Sequence, residues 1–128
     1  MFTRDPRQAR IDTLIGKAAR VHGDVDFQGG LHIDGHITGA VRSDPSREST
    51  LSVSESGSIE GAVQVPNVVL NGSIRGDIHA TERVVLGATA RVEGNVYYGV
   101  IEMTLGAQII GKLVRLEPET PPPARWGI

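Results

Sequence analysis

Ile74-Arg75-Gly76-Asp77-Ile78 belongs to a series of six, one every 15 to 22 residues, that share a phrase: an apolar residue, any residue, glycine, any residue and a second apolar residue. The others are Val21-His22-Gly23-Asp24-Val25, Ile37-Thr38-Gly39-Ala40-Val41, Ile59-Glu60-Gly61-Ala62-Val63, Val92-Glu93-Gly94-Asn95-Val96 and Ile109-Ile110-Gly111-Lys112-Leu113. Their glycines lie 16, 22, 15, 18 and 17 residues apart. So short a period has no room for a helix, a strand and their turns, but it suits one coil of a strand-only solenoid.

An alternating apolar pair precedes each phrase from the second onward: Leu31/Ile33, Leu51/Val53, Val68/Leu70, Val84/Leu86 and Ile101/Met103. Alternation at period two puts both members on one face of a strand. Gly35, Gly57, Asn71-Gly72, Gly87 and Gly106 fall between these units, where a coil must turn tightly. No coil can bury its inward row alone, so stacking at about 4.8 Å per coil must supply both the hydrogen bonds and the core. The expected fold is all-β, a single-stranded right-handed parallel β-helix of about six coils and about 30 Å long. The drifting coil length sets it apart from left-handed helices, which repeat an apolar residue every six positions. Val21, Ile37, Ile59, Ile74, Val92 and Ile109 should stack as one inward column.

The chain has 128 residues, one domain's worth, with 16 glycines and a single Trp, two Tyr and two Phe. That composition fits a narrow core of branched aliphatics. A net charge of -2 gives no field for nucleic acid, and the absence of cysteine removes disulfides and thiol chemistry. No apolar run approaches the length of a membrane span or signal peptide, so a cytoplasmic location is expected. The expected domains are residues 1–13 as an N-terminal tail, 14–116 as the β-helix and 117–128 as a C-terminal tail. Pro121-Pro122-Pro123 in that tail cannot donate to a ladder. The long 22-residue step is explained by a polar loop over Arg42–Thr50.

Ile15-Gly16, Val21-His22-Gly23-Asp24-Val25 and Gly30-Leu31-His32-Ile33-Asp34-Gly35-His36-Ile37-Thr38-Gly39, followed by coils ending in Ile109-Ile110-Gly111, resemble the bactofilins, bacterial polymer-forming cytoskeletal proteins. The likeness spans about residues 14–116. It implies a right-handed β-helix of triangular section that assembles end to end into filaments without nucleotide, and that scaffolds cell-shape or cell-wall machinery at the inner face of the membrane. The start, Met1-Phe2-Thr3-Arg4, is similar to the tail with which many members target membrane. The implied partners are a second copy of the chain, membrane lipid, and cell-wall enzymes or other cytoskeletal proteins. No cofactor and no nucleic acid are expected.

Physical reasoning from the coils points the same way. A solenoid has two open ends at which strand edges and core side chains face outward, and monomeric solenoids cap them. The candidate assembly residues are Ile11, Leu14 and Ile15 at one end and Ile109, Ile110, Leu113 and Val114 at the other. The candidate membrane residues are Met1, Phe2, Arg4, Arg7 and Arg10, offset within the first ten positions by Asp5 alone. One inserted Phe contributes about 1.5–3 kcal/mol and each basic residue about 1 kcal/mol near an anionic leaflet, so a lone tail binds marginally and an array of tails binds by avidity. His22, His32, His36 and His79 read as surface imidazoles rather than a metal set. The serines from Ser43 to Ser58 have no activating base nearby in sequence. The competing readings are a β-helix acyltransferase or carbonic-anhydrase-like enzyme, and a monomeric solenoid binding a wall polymer along one flat face.

Overall fold

The structure, a computed structural model, describes residues 11–44 and 47–116. Among them there is no helix, and short strands follow one another in a rotation of three. The first face of the rod is laid down by β1 (Thr13–Ile15), β4 (Gly30–Ile33), β7 (Thr50–Val53) and β10 (Asn67–Leu70). The second holds β2 (Arg20–His22), β5 (His36–Thr38), β8 (Ser58–Glu60), β11 (Ser73–Arg75), β13 (Arg91–Glu93) and β15 (Gln108–Ile110). The third holds β3 (Val25–Phe27), β6 (Val41–Ser43), β9 (Val63–Gln64) and β16 (Leu113–Arg115), while β12 (Ile78–Leu86) and β14 (Val96–Met103) run from the third face onto the first. All pairings are parallel, each strand bonding to its counterpart one coil away, which makes a β-solenoid of about 6 turns. Because β12 and β14 turn the corner unbroken, the first and third faces join as a ten-stranded sheet beside the six-stranded second face.

Each phrase straddles one corner, its leading residue on the second face and its trailing residue on the third. The register stacks Val21, Ile37, Ile59, Ile74, Val92 and Ile109 in one inward column, as the spacing requires. Val25, Val41, Val63, Ile78, Val96 and Leu113 form a second column. The alternating pairs supply the rest, from Leu31/Ile33 to Ile101/Met103. In the central coils Ile37, Ile74, Ile78 and Val92 are 0% exposed. Thr13 and Ile15 occupy the same columns in the first coil, so the alternating pair exists there too, hidden in the sequence because Thr13 is polar.

Crowding of backbone on backbone explains the glycine at the centre of the phrase. Gly61 and Gly76 hold φ of 153° and 147°, a region that L side chains rarely adopt. A Cβ on Gly76 would stand 2.3 Å from the carbonyl oxygen of Gly61, and one on Gly61 would stand 2.1 Å from that of Gly39. The residue after the glycine ties the corner to the next coil where it is Asp or Asn. Asp24 Oδ1 accepts from the amide of Ala40 (2.9 Å), Asp77 Oδ1 from Asn95 (2.9 Å) and Asn95 Oδ1 from Lys112 (3.1 Å).

Coil length drifts because the corners differ. Between Ala80 and Arg83 the pairing with β14 shifts register, so Thr81 and Glu82 stand opposite Gly99 in a bulge. A Cβ on Gly99 would meet the Thr81 carbonyl oxygen at 2.3 Å. The polar loop after β6 returns to the rod at Ser49, which is buried and whose carbonyl accepts from the backbone N–H of Asn67 (3.3 Å) and from its Nδ2 (3.2 Å).

Two substitutions test this packing by chemical denaturation. Ile74→Ala leaves a cavity in a column with no free space and should lower stability by about 2–4 kcal/mol. Gly76→Ala should lose about 1–3 kcal/mol from its φ alone and more from the clash with Gly61. Gly23→Ala, where φ is also positive at 125° but the added Cβ meets nothing within 4 Å, should show the first loss without the second. Equal losses at Gly23 and Gly76 would mean that coil-on-coil contact is not what selects glycine.

Candidate functional site: the open ends of the solenoid

Among the described residues no coil precedes the first, and its inward residues Ile15, Val21 and Val25 are only half-buried. Ile15 stands in the core column against Ile33, whereas Leu14 pairs with His32 and points outward on the first face. Ile11 and Leu14 are 56% and 59% exposed. Of the three residues expected at this end, Ile15 therefore belongs to the open core, and Val21 and Val25 join it.

At the other end Met103 and Leu113 stand in inward columns, against Leu86 and Val96, and are nevertheless 48% and 46% exposed, with no further coil over them among the described residues. Ile109 stacks on Val92 and is half-buried. Ile110 and Val114 pair with Glu93 and Tyr97 on the outward side of their strands, so they flank the end rather than form it. Leu105 is 96% exposed at the corner before β15, where the preceding coil has Ala88. Met103 and Leu105 were not among the expected assembly residues. The signal for Leu105 was a large apolar residue at a corner that Glu55 and Ala88 fill in other coils. Met1, Phe2, Arg4, Arg7 and Arg10 lie outside the described residues. Among the described residues, no helix is long and apolar enough to cross a membrane.

The coil also creates neighbours that sequence distance hides. The serines from Ser43 to Ser58 have no base nearby in sequence, but the fold brings two imidazoles against them. His32 Nδ1 lies 3.2 Å from Ser52 Oγ, and His36 Nδ1 is hydrogen-bonded to Ser58 Oγ, across separations of 20 and 22 residues. His32 Nε2 meets Asp34 Oδ1 at 3.0 Å, and His36 Nε2 lies 3.2 Å from Thr38 Oγ1 and 3.5 Å from Glu60. Ser52, His32 and Asp34 thus form a line, but it lies flat on a sheet whose backbone N–H groups are committed to the ladder. Its work is to brace one coil on the next. His79 instead stacks on Tyr97, with ring centroids 4.4 Å apart. Among the described residues, no group of three or more His, Cys, Asp or Glu is placed to hold a metal.

The Ser54 hydroxyl beside Asp34 holds its carboxyl below the ordinary 3.8, against a smaller upward push from burial and with help from His32 and Lys17. A carboxyl depressed in the folded state contributes stability above its unfolded pKa and loses it as pH falls through the folded value. The stability deficit of Asp34→Asn should therefore be present at pH 6 and shrink toward zero below pH 3.8. Urea denaturation of both proteins across that range checks it, and a deficit unchanged at acid pH would assign the loss to something other than ionisation.

Residues 13–114 match the family model described as Bactofilin: Polymer-forming cytoskeletal. A curated relative, Bactofilin BacO of Myxococcus xanthus (strain DK1622), is 28% identical over 102 residues, covering 80% of this chain and 78% of that protein. No solved structure matches the chain. A repeat that builds a β-solenoid and leaves its apolar columns half open at both ends of the described rod thus coincides with a family match over nearly the whole rod, and the chain belongs to the bactofilins, a family of polymer-forming cytoskeletal proteins.

Proposed function

We propose that this chain assembles end to end, without nucleotide, into filaments that lie at the inner face of the bacterial membrane and scaffold cell-shape or cell-wall machinery. The observation that carries the proposal is the exposure of core columns at the ends: residues in register with fully buried partners, such as Leu113 over Val96, are left half open. Exposed apolar surface beside unpaired strand edges is a docking face. If like ends meet, each junction is isologous and the filament has no polarity, yet alternating two such junctions still propagates without limit. The protein then acts as a scaffold and not as an enzyme. The competing β-helix enzyme reading requires a strict six-residue repeat, and the corners of this rod do not keep one. The first ten residues join the filament to lipid, each tail weakly and the array by avidity. Cell-wall enzymes or other cytoskeletal proteins are the proposed clients.

Leu113→Arg and Leu105→Arg place a cation where like would meet like, and it must be desolvated in every junction. Both should shorten filaments to uniform particles in negative-stain microscopy while far-ultraviolet circular dichroism stays β-rich, because the damaged coil is terminal. Ile74→Arg should instead unfold the rod. An unaltered protein that stays monomeric at high concentration in analytical ultracentrifugation would sink the assembly reading and favour a monomeric solenoid that binds a wall polymer.

Deleting residues 2–10 should abolish co-sedimentation with anionic vesicles and leave filaments intact, and Phe2→Ala should do much of the same. Unchanged co-sedimentation in both variants would remove the membrane role.

A further inference from the structure

We draw no further inference here: the strongest candidate, the groove on the third face lined by Asp26, Phe27, Arg42, Asp44 and Gln64 beside the buried, unpartnered hydroxyl of Ser43, ends next to positions 45 and 46, which lie outside the described residues, and nothing in the structure shows what fills it.

Discussion

The rod depends on how closely one coil can lie on the next at the glycine of the phrase. There the carbonyl oxygen of each glycine occupies the place where the following one would carry a Cβ, from 2.0 Å at Gly111 to 2.3 Å at Gly94. No side chain can be accommodated, because the obstructing atom is backbone and cannot swing away. With this corner held at sheet spacing, the apolar residues on either side of it fall onto their counterparts in register, and every core column follows. Asp24, Asp77 and Asn95 secure the same corner from outside, each accepting a hydrogen bond from an amide of the next coil.

Much of this was legible because the repeat is one-dimensional. Period-two alternation named the inward residues, the glycine spacing counted the coils, and a resemblance carried on several coils named the family that the comparison then found. What stayed hidden has a common cause: a coil makes neighbours of residues 15 to 22 positions apart, and a linear reading pairs only like with like. Ile37 over Ile59 is visible as a recurrence, whereas His32 over Ser52 is two unlike residues that no pattern joins. Thr13 was missed for the opposite reason, a polar residue in an apolar column at the start of the rod, where half the cover is absent.

At the ends the repeat also misled in a particular way. Ile110 and Val114 looked equivalent to Ile109 and Leu113 because all four are apolar and close in sequence. The pleat separates them. Ile109 and Leu113 continue the inward columns and are open only along the rod axis, while Ile110 and Val114 face sideways. A partner stacking on the end would bury the first pair together with Met103, and would leave the second pair at the margin. Leu105 reaches beyond the corner and would be covered by the same contact. On the assembly proposed above, the same geometry would separate residues that lengthen a filament from residues that border it.

A terminal coil offers a small surface, a few apolar side chains and a short run of strand edge, so a single junction of this kind is weak beside a coil-to-coil interface within the chain, which is covalently tethered. Assembly on such contacts responds steeply to local concentration. On the functions proposed above, a tail that holds chains at a surface raises that concentration, and a filament in turn presents many tails at once. Each process then strengthens the other without nucleotide hydrolysis to drive it.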